Sequence, residues 1–332
     1  MHREVSGGAR RGGILAAGGT RRILLWLLRE DFIGFAFFEK MRYTGVQQRE
    51  RKEKMRADGK RTKGLSAIER ATPYIMAKRV DAQNYVTEYV DEEIIKDYIR
   101  SVRRERGVRM TRMAVVIAAY YLAALQHPYI NRFVMNGHIY DRNHFCVSFV
   151  MLKSDPDGRG IQTTVKVYFD PSDNIFTINQ KINDVIAENS KPATKNNTDK
   201  FAAFMFSLPI LPKLVVGFAK ILDRYGLLPR FIINLSPFHT SMFITNLASI
   251  NTTHIYHHVY EFGTTSVFLS VGKSIPNYFT GELDKRVMPI SVVMDERICT
   301  GHDYALFNKT LQRYLRNPQV MERQEAAAEE MG

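Results

Sequence analysis

The sequence predicts an α+β sandwich in which helices flank one large mixed β-sheet. Two observations carry that prediction. Segments of helical and of strand periodicity interleave in the order α-β-α-α-β-β-β-β-α-α-β-β-β-α, with no repeat at a fixed period. The chain of 332 residues is 45% hydrophobic and 11% aromatic, which lets it bury a substantial core.

Order begins at Leu65. Ser66-Ala67-Ile68-Glu69 has the form of a capping box, and Pro73 limits the helix it opens. Ala82 to Val90 reads as a strand. Asp91 then caps a helix with Ile94, Ile95, Tyr98, Ile99 and Val102 at helical spacing. Thr111 caps a second helix reaching Leu125; it is apolar almost throughout from Met113 and so belongs in the domain centre. Asn131 to Asn136 and Gly137 to Asp141 form a hairpin. His144 to Leu152 and Gln162 to Phe169 are strands separated by the turn Ser154-Asp155-Pro156-Asp157-Gly158. Ile175 to Asn189 is a helix capped by Asp173 or Asn174, followed by a polar loop from Ser190 to Thr198. Asp199 to Tyr225 is helical, broken at Pro209 and Pro212, and its excess of Phe, Leu and Met reads most simply as core. The strands Ser241 to Leu247, Thr265 to Gly272 and Val287 to Met294 precede a closing amphipathic helix, Tyr304 to Leu315.

The formal charge of +13 is uneven. Of 47 Lys and Arg and 34 Asp and Glu, residues 1–65 hold 16 and 7, a balance of +9; the rest holds 31 and 27, or +4. Basicity therefore belongs to a leader at residues 1–64, with the domain at 65–318 and an acidic tail at 319–332. Arg49 to Lys63 is a mixed-charge tract that reads as a solvated linker, disordered or in part helical. Nucleic acid is not an expected partner, because no aromatic side chain is interleaved in it to stack a base. Arg29, Glu30 and Asp31 interrupt the apolar stretch Ile23 to Phe38, so no spanning helix and no membrane partner are expected. Gly12 to Gly19 is too short and too Gly-rich for a secretory signal. Two readings of residues 1–40 stay open: an amphipathic peripheral helix, or a translated upstream segment with the start at Met41 or Met55. Cys146 and Cys299 lie far apart in apolar surroundings, which indicates neither a disulfide nor a metal site and fits a reducing compartment, the cytoplasm.

One late turn carries the functional information: Asp295-Glu296-Arg297-Ile298-Cys299-Thr300-Gly301. With it go, in order, Leu65 to Arg70 and Ile75 to Arg79, then Met113 to Ala119 with Pro128-Tyr129-Ile130-Asn131. Phe243-Ile244-Thr245-Asn246-Leu247 and Lys285 to Gly301 complete the set. Together they resemble the catalytic-domain superfamily of chloramphenicol acetyltransferase and the dihydrolipoamide acyltransferases of 2-oxoacid dehydrogenases. The collinear matches are its opening helix, its buried helix with P-x-x-N, its F-T-I-S-N-L strand, and its last strand with the His-x-x-x-Asp-Gly turn.

The resemblance implies a chloramphenicol-acetyltransferase-like sandwich, a homotrimer with active sites at subunit interfaces, and acyl transfer from an acyl-thioester such as acyl-coenzyme A. In that chemistry the His of the turn takes the proton of a thiol, whose own pKa is about 8.5. A hydroxyl on a facing strand stabilises the oxyanion. Here Glu296 stands at the His and Thr300 at the Asp, while Gly301 keeps the glycine of the tight turn. Thr245 or its neighbour Asn246 stands at the oxyanion hydroxyl, and Arg70 is the candidate arginine that orders the site. Loss of a general base removes about 10²–10⁴ of rate. The resemblance therefore implies transfer that is at best slow or altered, or a catalytically inactive trimeric scaffold or acyl-coenzyme A sensor. No lipoyl-type segment with an Asp-Lys-Ala tip occurs, so no lipoyl attachment site is expected.

Other histidines do not replace the base. His302 falls on the opening turn of the last helix. His254, His257 and His258 would need a bend to converge and have no acid beside them, so they read as part of an aromatic-rich turn with Tyr256 and Tyr260. His239 reads as a satisfied loop residue, and no metal site is expected.

Overall fold

A computed structural model describes residues 56–154, 160–190 and 212–322. The stretch Ile23 to Phe38, most of the 154–158 turn and of the 190–198 loop, residues 199–211 and residues 323–332 of the tail lie outside them.

Local signals set the element starts. After β1 (Gly59–Arg61), α1 (Ala67–Ile75) opens on the capping box: Ser66 Oγ accepts the Glu69 amide, and the Glu69 carboxylate accepts the Ser66 amide. β2 (Gln83–Asp91) feeds α2 (Glu92–Arg106), capped by Asp91 and closed by Gly107 at φ 67°, where any side chain would be strained. α3 (Arg112–Gln126) starts on Thr111, and eleven of its fifteen residues are buried, so it is enclosed on every side. β3 (Arg132–Met135) and β4 (His138–Arg142) are joined by Asn136-Gly137, both at positive φ, the pair a tight hairpin requires.

β5 (Phe145–Ser154) and β6 (Gly160–Phe169) pair antiparallel along their whole length. α4 (Ile175–Asn189) is capped by Asn174; Asp173 instead accepts the Asp170 amide and pairs with Lys181. Next come α5 (Pro212–Arg224), α6 (Arg230–Leu235), β7 (Met242–Asn246), β8 (Val267–Val271) and β9 (Ile275–Pro276). β10 (Arg286–Asp295) and α7 (Gly301–Arg316) close the domain.

The main sheet has the order β2-β10-β8-β7-β5-β6, with β9 pairing on β10. It is mixed: β7 runs parallel to both β5 and β8, and the other pairs are antiparallel. Alternation assigns its two faces. Met242, Ile244, Val267, Leu269, Val292 and Met294 join α2, α3, α4 and α7 in the main core. Phe243, Phe268 and Val293 point the other way and pack with Val259 and Tyr260. On that second face Lys166 donates to the carbonyls of Ile233 and Ser236, docking α6. The expected α+β class, with one large mixed sheet flanked by helices, is what the chain forms.

Three expectations need correction. The tract Arg49 to Lys63 is not solvated linker throughout: Arg56 and Asp58 are buried, and β1 pairs with β4 in a small sheet of order β1-β4-β3. Their burial depends on partners far along the chain, which local charge density does not reveal. The apolar excess of α5 is not core, since Leu214, Phe218 and Ile221 are exposed. Cys146 is not in apolar surroundings, because Lys166, His144 and Arg142 all act on it.

Candidate functional site

β10 is buried from Val287 to its last residue and delivers Asp295 into the domain interior. The following turn is held by charge. Arg297 Nε donates to Asp295 Oδ1 and Nη2 to Oδ2, each at 2.7 Å, a bidentate fork. Arg297 Nη1 donates to the Met76 carbonyl at 2.8 Å, tying the turn to the end of α1. Arg79 Nε lies 3.7 Å from Asp295 Oδ2, and its other nitrogens donate to the carbonyls of Tyr260, Glu261 and Val134. Burial pulls the Arg79 guanidinium below its ordinary range, while Asp295 opposes that shift. All three side chains are buried, and a cavity of about 460 Å³ lined by Arg79, Arg297, Asp223 and Arg224 opens beside them. The carboxylate that organises this turn is thus Asp295, one residue before the position of the base.

The sequence-predicted residues sit otherwise. Glu296 is exposed, and among the described residues its side chain has no ion pair. Thr300 is the N-cap of α7: its Oγ1 accepts the Asp303 amide at 3.2 Å and donates to Asp303 Oδ2 at 2.8 Å, which also accepts the Thr300 amide. Gly301 is the first residue of α7 and is exposed, with open space where a Cβ would stand, so the turn does not demand glycine there. Arg70 is exposed on α1 and has no ion pair among the described residues, whereas Arg79 and Arg297 are the arginines that meet Asp295. His302 is exposed.

Thr245 and Asn246 end β7, at the other end of the sheet. Register places Thr245 opposite Ser270 and Ser270 opposite Ser291, with Asn246 level with Val271 and Ile290. Glu296 lies five residues beyond Ser291, about 17 Å along the strand, and two strand spacings add roughly 10 Å across. One copy of the chain therefore does not bring Glu296 and Thr245 into one site. Ser270 and Ser291 are themselves committed: their hydroxyl oxygens lie 2.8 Å apart, and both sit within hydrogen-bond reach of the Ile255 carbonyl, so their two protons are shared between that carbonyl and each other.

Asn246 does line a second cavity, of about 550 Å³, with Lys96, Arg100, Thr111 and Arg112. The cations are anchored from outside it. Lys96 pairs with Glu92 at 3.0 Å and Glu93 at 3.1 Å, and Arg112 with Glu92 at 2.9 Å. Hydrogen bonds that Lys96 donates to Glu92 and Glu93 hold its ammonium above its usual range. Arg100 pairs with Glu93 and Asp97, so each cation at this cavity is held in place by a carboxylate.

A third group is buried under α5. Arg56 Nε meets Asp58 Oδ1 at 3.0 Å and Nη2 meets Asp223 Oδ1 at 2.5 Å; His239 Nε2 lies 3.2 Å from Asp223 Oδ2, and its Nδ1 2.8 Å from Ser236 Oγ. An Asp-His-Ser row is the form of a nucleophile relay, but Ser236 and His239 are buried and line none of the cavities above. His239 is thus a buried residue whose Nδ1 meets Ser236 and whose Nε2 faces the Asp223 carboxylate. Burial is the largest influence on Cys146 and raises its thiol, but Lys166, His144 and Arg142 outweigh it and bring the thiol down to about 6. Arg142 and His144 are close to Cys146 in sequence, but Lys166, the first of the charges that lower it, comes from the neighbouring strand. His254, His257 and His258 do not converge on a ligand: His257 stacks on Phe268 and on His258, while His254 meets Tyr89 and Tyr256 edge-on.

No protein-family model and no curated protein matches this chain. Among solved structures it is similar to a probable dihydrolipoamide acetyltransferase from Listeria monocytogenes, at 13% identity over 80% of this chain and 97% of that one, with a TM-score of 0.48. It is similar to a truncated catalytic core of the 2-oxoacid dehydrogenase multienzyme complex from Thermoplasma acidophilum, at 15% identity over 77% and 98%, with a TM-score of 0.48. It is also similar to chloramphenicol acetyltransferase, at 14% identity over 76% and 96%, with a TM-score of 0.45.

Proposed function

We propose that this chain is a member of the 2-oxoacid dehydrogenase acyltransferase superfamily that binds an acyl-thioester, with coenzyme A as the recognised portion, and does not carry out the usual thiol-dependent transfer. The observation that carries this reading is the state of the two motif positions. Thr300 is engaged as a helix cap, and Glu296 is an exposed carboxylate. A carboxylate is in general a poor base toward a thiol, whose pKa lies about four units higher.

Retained binding is supported by the Asn246 cavity. Its volume of about 550 Å³ lies within the usual range for small-molecule sites, and Lys96, Arg100 and Arg112 suit the phosphates of coenzyme A. A homo-oligomer, a trimer by resemblance, is supported by the separation of Glu296 from Thr245. A head-to-tail ring would set one copy's Glu296 end against its neighbour's Asn246 end.

Isothermal titration with coenzyme A tests this reading. Saturable binding that weakens about tenfold or more in Arg112→Ala is expected. Absence of binding would leave only a scaffold.

A further inference from the structure

The exposed side of α5 is patterned. Leu214, Phe218, Ile221 and Tyr225, at positions i, i+4, i+7 and i+11, form one line and are 63%, 60%, 55% and 56% exposed. The line alongside carries Lys213, Lys220 and Arg224, again at i, i+7 and i+11, all exposed; Lys220 and Arg224 also border the cavity of about 460 Å³, and Arg224 Nε donates to Asn136 Oδ1. The inward side holds buried Asp223, committed to Arg56 and His239, and nearby Glu261 accepts the Val80 amide. The connection to α6 and its first turn add exposed Leu227, Arg230 and Phe231.

We propose that α5 is a membrane-surface element. It lays Leu214, Phe218 and Ile221, with Tyr225 just past its end, into the headgroup–acyl boundary of an anionic lipid bilayer while Lys213 and Lys220 reach the headgroups. A protein partner could cover an apolar stripe, but a parallel row of cations with no exposed acid on the helix matches an anionic surface. Lysine and arginine stems reach from an apolar bed to a charged plane. At 13 residues the helix is about 20 Å long, too short to span, so it lies in the plane of the interface. Among the described residues no helix is long and apolar enough to cross a membrane. The proposal departs from the expectation that a membrane is not a partner, and does so through α5 rather than through Ile23 to Phe38.

Flotation of the full chain with vesicles of phosphatidylcholine, alone or mixed with phosphatidylserine, tests the proposal. The protein is expected to float only with phosphatidylserine and to be released by salt. Leu214→Glu with Phe218→Glu is expected to weaken partitioning about 100-fold or more. Lys213→Glu with Lys220→Glu is expected to weaken it at least about tenfold, each cation near such a surface strengthening attachment roughly fivefold. All four positions are exposed, so circular dichroism and melting should be unchanged in both variants. The proposal is overturned if nothing floats, if neutral vesicles bind equally, or if the Leu214→Glu/Phe218→Glu protein still floats. A concentration-dependent oligomer dissolved by that variant would overturn it too, assigning the stripe to a second copy. Coenzyme A binding is measured without lipid, so either reading can fail alone.

Discussion

Arg297 holds Asp295 through two parallel bonds of 2.7 Å inside the domain, immediately beside an exposed Glu296. The turn after β10 is therefore built on a buried ion pair that the motif positions themselves do not include. Arg297→Ala should leave Asp295 with Arg79 alone, at 3.7 Å, and should cost about 3–5 kcal/mol in denaturant unfolding. Arg70→Ala should stay within about 0.5 kcal/mol. Equal effects of the two substitutions would refute the assignment of the ordering role.

Thr300 acts through the helix it starts. Thr300→Ala should destabilise the domain by about 1 kcal/mol and Thr300→Ser by much less, because serine keeps the bond to the Asp303 amide. Glu296→Ala should be nearly silent in the same chemical unfolding curves. A larger loss from Glu296→Ala than from Thr300→Ala would reverse the assignment.

Acid should weaken the fold from about pH 6.5 downward. His127, His138, His239, His254 and His257 are all held below the ordinary histidine range, burial being the largest cause in each. The folded state therefore binds fewer protons than the unfolded chain, and the stability present above the ordinary histidine pKa is lost as pH falls toward the folded values. Asp58 and Asp223 are also lowered: burial raises them, but Arg56 and, for Asp223, His239 outweigh it, so they add a second loss below about pH 4. Melting temperatures from pH 8 to pH 3 would show both steps. A flat profile between pH 7 and pH 5 would contradict the first.

Neither thiol should label in the folded protein. Cys299 is buried and its thiol is raised to about 12, chiefly by burial, whereas Cys146 is completely enclosed despite its lowered thiol. An aromatic disulfide reagent at pH 7 should give no rapid absorbance change until denaturant is added, and a fast native phase would show that the Cys146 surroundings open.

What the sequence discloses follows from range. Caps are local, so Ser66, Asp91, Thr111 and one of the two named residues before Ile175 can be read as helix starts, and the all-apolar run from Met113 marks the buried helix. The strand order cannot be read, since β7 sits between β5 and β8 only through long crossovers. Arg56 and Asp58 look like linker because their partners Asp223 and Thr264 come from 167 and 206 residues away. Arg79 closes the opening match but gives no sign that it reaches Asp295. The stripe on α5 reads as core because a period of apolar residues is the same whether the face meets protein or lipid.

Binding of an acyl-thioester without turnover is what we propose for this chain. The most direct measurement is release of free thiol from acetyl-coenzyme A by the unmodified protein, offered thiol, hydroxyl and amine acceptors. Release at the background rate, alongside saturable binding by calorimetry, is predicted; turnover above background that disappears in Glu296→Ala would contradict it.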